Sequence, residues 1–382
     1  MKHSASWFLC FACSLIVWAH PVAQSPTCEP QSAWGDLFSL GTAGLSSSPA
    51  LAVLPDRLAV AYSLSDNDGA HQVIRWLMNG SLNDPLTLTL PPIQPRGQLV
   101  FPAEQNRVFL LWIDLDEATS LPALFFALIE PTGEIARGPL RLSTEYERVY
   151  DFHAALTADN ALWVTWSGAI RREANVSLRR IDGDGRPATT PIALATDARH
   201  PVLIPNTDGT LTLLYEDGRG ESLIRARIAQ GVLLESTRIT GQISRTPGTV
   251  TNSVFAAADE THEYIFWNLT RDDGRRETWF SVGSRESTSY AAPILFEPPY
   301  QWVRPLPNAR GDVRAAVMDG NTIGVVTLRA GAFGGFEPVV TCASVIDPPA
   351  LYRDSGGRLI LAWSQPNQNA PADLWMTIQP EN

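Results

Sequence analysis

Cysteine is scarce in this 382-residue chain, which has four. Cys10 and Cys13 fall inside an apolar N-terminal stretch, so their CxxC spacing carries no redox expectation. Lysine and arginine are also few: 29 of them face 40 aspartates and glutamates, giving a net charge of −11. No basic cluster offsets that balance locally, which excludes nucleic-acid binding and attraction to anionic membrane surfaces. No window of a dozen residues repeats its apolar positions every 3.6 residues, so helix is expected to be scarce. No apolar run reaches a spanning length after the first twenty residues, so no stable membrane insertion is expected of the mature chain. Signatures of common chemistries are absent as well. There is no GxSxG elbow, no HExxH, no phosphate-binding glycine loop and no CxxC beyond the first twenty residues. No cofactor and no metal ion are therefore expected.

What is present begins with the N-terminus. Lys2 and His3 precede the apolar run Trp7 to Ala19, and polar, proline-containing sequence follows. This order reads as a secretory signal within residues 1–23, cleaved after Ala19 or, as the second choice, after Ala23. Export to an extracellular or periplasmic space follows from it. Only Cys28 and Cys342 then remain, and two thiols in an oxidising compartment suggest one disulfide. The composition of the rest, 45% hydrophobic and 18% charged, is that of a globular protein.

The chain repeats itself. The stretch NALWVTWSG, NVSLRRIDGDG, PIALAT holds three strand-like runs after the apolar FHAAL, and that four-strand pattern recurs seven times. One residue marks the end of the second strand in each repeat: Tyr62, Trp112, Trp166, Tyr215, Trp267, Met318 and Trp363, spaced 45 to 54 residues apart. The second strands (LAVAYS, VFLLWID, LWVTWSG, TLLYED, YIFWNL, LILAWSQ) are short, apolar, and rich in β-branched or aromatic residues. Turn signals such as PDR, NTDG and DSGG precede them. The last repeat has no fourth strand after DLWMTI, while GDLFSLGT, residues 35–42, is an orphan strand ahead of the first. Pairing the two removes two open sheet edges.

This period and closure resemble those of seven-bladed β-propellers, across nearly all of residues 24–382, with repeats from about 49 to 378. The resemblance implies an all-β fold of four-stranded antiparallel blades, the ring closed by the N-terminal strand in the last blade. Six blades is the competing count, because the sixth repeat is short and carries Met318 in place of an aromatic. Glycine-histidine and tryptophan-aspartate marks of WD40 repeats are missing. The stretch TRDDGRRETW, Thr270 to Trp279, resembles a degenerate Asp box of sialidase-type propellers, with Asp272 and Gly274 matching. An Asp box is a structural turn. Asp182 with Asp184, and Asp66 with Asp68, read as Asx turns and not as calcium loops. Asn79, Asn175 and Asn268 stand in glycosylation sequons, and Arg310 to Asp312 spell RGD in an expected hairpin.

In a blade whose strands alternate in direction, the loop after strand two and the connection leaving strand four emerge on one face. The long polar connections gather there, which makes that face the expected binding surface. Connections into the innermost strands bring Arg96, Arg148, Arg199 and Arg304 to the mouth of the central channel, and arginine grips carboxylates bidentately. Glu147, Tyr150, Asp151 and His153 lie between these arginines, with Tyr300 and Trp302 across the ring. Two functions fit. One is a non-catalytic module that binds an acidic glycan or a protein through this face. The other, which the sialidase resemblance implies, is a glycoside hydrolase or lyase acting on an acidic sugar. Asp151 would then donate a proton, and Tyr150, assisted by Glu147, would be the nucleophile.

Overall fold

The computed structural model describes residues 28–31, 34–43, 49–66, 69–78, 81–88, 90, 98–170, 173–218, 222–239, 249–286, 289–296, 300–306, 312–329, 332–342, 345, 349–354, 356–366 and 372–380. The signal segment, Asn79 and the Arg310–Gly311 part of the RGD lie outside the described residues.

Seven antiparallel blades follow one another along the chain. The third shows the pattern: Arg148–Leu156 is innermost, then come Leu162–Ile170, Glu173–Ile181 and the outer Ile192–Thr196. The fourth repeats it with Ala198–Pro205, Leu211–Asp217, Leu223–Ala229 and Val232–Arg238. Second strands are buried on both sides because each blade has a neighbour on both sides. Leu162 to Gly168 is buried without interruption, so such strands read as continuous apolar runs and not as alternating ones. Outer strands are wetter, and several are short. In the first blade the outer edge is two short pieces, Ser81–Leu82 and Leu86–Thr87, the latter all that the LTLTL run contributes, and the outer strand of the fifth blade keeps only Ile294–Leu295.

The core is distributed among the seams. Among the described residues there are seven hydrophobic clusters, each drawing on two neighbouring blades. One joins the last blade to the first, where Leu40, Leu51 and Tyr62 meet Ile360, Leu374 and Met376. Seven seams with seven cores make a closed ring, and six blades is excluded. Leu37–Ala43 completes the seventh blade, with Leu37 opposite Thr377 and Phe38 opposite Met376. The Tyr62 hydroxyl donates to the Leu40 carbonyl at 2.6 Å, tying the closing strand to the first blade as well.

Before it reaches the seventh blade, the chain runs beside the sixth. Glu29–Pro30 pairs with Ala332–Thr341 as a fifth strand. The Trp34 indole N–H then donates to Glu337 at 3.0 Å, and the Gly35 N–H to the Ile378 carbonyl at 3.1 Å. This detour sets Cys28 beside Cys342, with Cα atoms 4.4 Å apart and the two sulfurs bonded.

Candidate functional site

Inner strands of the seven blades surround a central channel of about 850 Å³. Most of its wall is apolar. Polar side chains line it in two groups: Tyr150, Asp151 and His200 where the third and fourth blades meet at the mouth, and Tyr352, Arg353 and Asp354 on the seventh blade.

Two backbone irregularities build this corner. In the inner strand of the third blade, Val149 pairs with Gly168 and Asp151 with Ser167, so Tyr150 is the extra residue of a β-bulge. The inner strand of the fourth blade is bulged between Arg199 and Val202, and His200 sits there with a φ of +51°. The fifth and sixth blades have register shifts between Thr251 and Ser253 and between Gln301 and Arg304. Bulges re-aim side chains that regular pleating would send into a seam. A left-handed histidine is strained backbone of the kind that gathers at working sites.

The result is a chain of polar contacts across the seam. The Ser167 hydroxyl donates to Oδ1 of Asp151. Oδ2 of Asp151 lies 2.8 Å from Nδ1 of His200, and Nε2 of His200 lies 3.7 Å from Oε2 of Glu216. Burial works against charge on His200. The hydrogen bond to Asp151 and the charges of Asp151 and Glu216 outweigh that burial, with Arg199 opposing them, and hold the imidazole above its usual pKa. A histidine between two carboxylates can pass a proton to a bound group or take one back.

The other channel histidine behaves oppositely. Nδ1 of His153 accepts a hydrogen bond from the Leu203 N–H at 3.2 Å, so its proton is on Nε2. Burial, with Arg304 beside it, pushes His153 down to about 4. Arg304 reaches the channel wall, and among the described residues it has no ion-pair partner.

The expected site residues separate into two groups. Arg148, Tyr150, Asp151, His153, Arg199 and Arg304 come from inner strands around the channel, and Arg148, Tyr150 and Arg199 are exposed. Glu147 does not join them. It is buried, and Oε1 accepts from the Trp166 indole at 2.9 Å. Oε2 accepts from the Thr144 N–H at 3.0 Å and from its hydroxyl at 2.9 Å. Trp166 packs against the second blade whereas Asp151 faces the fourth, so the two carboxylates are on opposite sides of one sheet. A Cβ at Gly168 would lie 2.5 Å from Oε1 of Glu147, which explains the missing side chain there. Tyr300 is also buried, within an aromatic group that includes Phe296, Phe333 and Phe336. Arg96 and the side chain of Trp302 lie outside the described residues.

Ser167, His200 and Glu216 were not singled out from the sequence, although a repeat signal marks two of them. The residue after the second-strand aromatic is polar and buried in five blades: Ser63, Ser167, Glu216, Asn268 and Ser364. Asn268 shows the structural use of that position. Its amide donates to Ser253 and accepts from Thr278, so this sequon residue is buried and engaged. Asp273, not Asp272, caps the turn after Arg271 by accepting from the Arg275 N–H at 3.0 Å. Among the described residues no group of three or more His, Cys, Asp or Glu side chains is arranged to hold a metal ion. No helix among them is long and apolar enough to cross a membrane.

No family model matches this sequence, and no curated protein matches it. Solved structures do resemble the fold. The polysaccharide lyase Uly1 superposes with a TM-score of 0.56 at 9% identity, covering 96% of this chain and 94% of that one. The WD40 domain of Toxoplasma gondii coronin gives 0.54 at 10% identity, covering 95% and 88%. The microbial sialidase Hz136 gives 0.45 at 12% identity, covering 78% and 65%. The chain has a seven-bladed β-propeller fold. At these identities the likeness extends to the fold and no further, since one such scaffold serves many chemistries.

Proposed function

We propose that this protein is an exported propeller that binds a carboxylated sugar at the channel mouth between its third and fourth blades. The observation that carries the reading is the Asp151–His200–Glu216 chain, its first two members on bulged inner strands and the third on the adjoining second strand, beside exposed Arg148 and Arg199. The arginines supply bidentate donors for a carboxylate, and Tyr150, 55% exposed, offers a ring and a hydroxyl to the sugar. Arg304 meets the ligand from the channel side. Calorimetry with sodium glucuronate tests this. Arg199→Ala and Arg304→Ala should each weaken binding about tenfold, the scale of one charge-assisted hydrogen bond. Unchanged affinity in both folded variants overturns the reading.

A second reading is catalytic, and the contact between Asp151 and His200 favours it. One propeller of similar fold is a polysaccharide lyase. Removing a proton beside a uronate carboxylate needs a cation on that carboxylate and an acid–base pair near the sugar ring. Arg199 and the Asp151–His200 pair would supply them, with Tyr150 in reach of the leaving oxygen. Glu147 has no part in this version, because both its oxygens are committed. Incubation with uronate polymers, followed by the ultraviolet absorbance of unsaturated products, discriminates the two. Turnover lost in His200→Ala makes the protein an enzyme, and binding without turnover leaves it a binding module. Hydrolysis of a sialoside panel would move the reading to the sialidase alternative.

A further inference from the structure

One aromatic marker differs from the others. Tyr62, Trp112, Trp166, Trp267 and Trp363 are at most 2% exposed, and Met318, which replaces the aromatic in the sixth blade, is buried too. Tyr215, at the same place in the fourth blade, is only half-buried. Its ring lines a second cavity, of about 430 Å³, cut into the seam between the third and fourth blades. Ala193 to Thr196 of the third blade's outer strand, with Asp197 just beyond it, form the opposite wall, and Asp217 and Ile224 complete the lining.

This cleft adjoins the mouth along two strands at once. Asp197 precedes His200 by three residues, a reach of at most about 10 Å. Tyr215 and Asp217 flank Glu216, whose carboxylate faces His200. Its chemistry is nevertheless different. The mouth sets Arg148, Arg199 and Arg304 beside the carboxylates of Asp151 and Glu216, which His200 bridges. In the cleft the charged groups lining it are the carboxylates of Asp197 and Asp217, the latter accepting from the Ser222 N–H at 3.3 Å and 3.6 Å from Arg238. An aromatic ring beside carboxylate acceptors suits a sugar with hydroxyls to donate and an apolar face to stack, and disfavours a second anion.

Building on the mouth reading, we propose that the seam cleft is a second saccharide subsite, which takes a neutral sugar linked to the carboxylated one. Tyr215 is its stacking platform. The ligand is then a mixed chain in which acidic and neutral residues adjoin, not a polyuronate.

Calorimetry with three ligands tests this: sodium glucuronate, a hyaluronan tetrasaccharide (each uronate linked to a neutral amino sugar) and tetragalacturonate of equal length. The wild-type protein should bind the hyaluronan tetrasaccharide about tenfold more tightly than glucuronate, and more tightly than tetragalacturonate. Tyr215→Ala should erase that gain and leave glucuronate affinity unchanged, which also certifies the fold, and Tyr215→Phe should keep the gain. Equal affinity for the two tetrasaccharides overturns the inference while the mouth reading stands. So does a parallel loss of all three ligands in Tyr215→Ala when Tyr215→Phe is normal. Failure of the wild-type protein to bind glucuronate overturns the mouth reading, and this inference falls with it.

Discussion

At the scale of residues, the two histidines of the third and fourth blades respond to pH in opposite senses. His153 is held neutral, its pKa pushed down to about 4 from an ordinary 6.5. The unfolded chain binds that proton below about pH 6.5, whereas the folded chain resists it until about pH 4. The contribution of His153 to stability is therefore complete above pH 6.5 and declines as pH falls towards 4, by about 3 kcal/mol in all. His200 is raised, so its contribution is complete below about 6.5 and is lost as pH rises through its folded value. His153→Asn keeps an acceptor for the Leu203 N–H and removes the titration. Urea midpoints of this variant should fall less steeply than wild type between pH 6.5 and 4, and parallel curves would refute the assignment. Little of this was legible in the sequence. Asp151, Tyr150 and the arginines could be placed at the mouth because they enter inner strands. His200 could not, because a bulge and a left-handed φ decide where it points, and neither leaves a mark on hydrophobic pattern.

At the scale of elements, the blades are bound by more than apolar packing. Arg225 of the fourth blade makes two hydrogen bonds to Glu263 of the fifth, at 2.8 and 2.9 Å, and Glu263 has no exposed surface. Thr212 donates to the same carboxylate at 3.2 Å, and the Tyr290 hydroxyl also donates to it. A buried pair of this kind adds little net stability over an apolar replacement, but losing one member leaves the other charged and dry. Glu263→Gln should cost about 3–5 kcal/mol, and pairing it with Arg225→Met should recover much of that loss. Chemical denaturation of the two variants checks this, and equal stability would show that Arg225 finds another partner. The sequence conveyed the second strands well, since burial on both sides leaves long apolar runs. It conveyed the outer strands poorly. Val232–Arg238 is exposed along almost its whole length, so no face of it had to be apolar, and its start could not be read. The same holds for Glu147, whose burial beside Trp166 depends on which face of the third blade the bulge leaves it on.

At the scale of the whole molecule, closure is the property that the sequence displayed best, because an orphan strand at one end and a missing strand at the other can be counted without any side-chain geometry. The seam it forms is specific. Leu40, 2% exposed, packs into the cluster shared by the first and seventh blades. Leu40→Ala should destabilise the protein by about 2–5 kcal/mol. Hydrogen exchange should accelerate first in Leu58–Asp66 and Ala372–Ile378, ahead of the third and fourth blades. Uniform acceleration around the ring would mean that the seam is no weaker point. The closing contact also spans time as well as space. Thr42 and Asp373, hydrogen-bonded at 3.4 Å, are 331 residues apart. On a ribosome adding 5–20 residues each second, the first strand waits roughly 15–65 s for its partner to exist. Throughout that interval Leu37–Ala43 hangs from the first blade unpaired on that side, and the slot it fills comes into being only with the last strand of the chain. Whatever pairs with the waiting strand during that minute, chaperone or second nascent copy, competes with the tethered last blade for it.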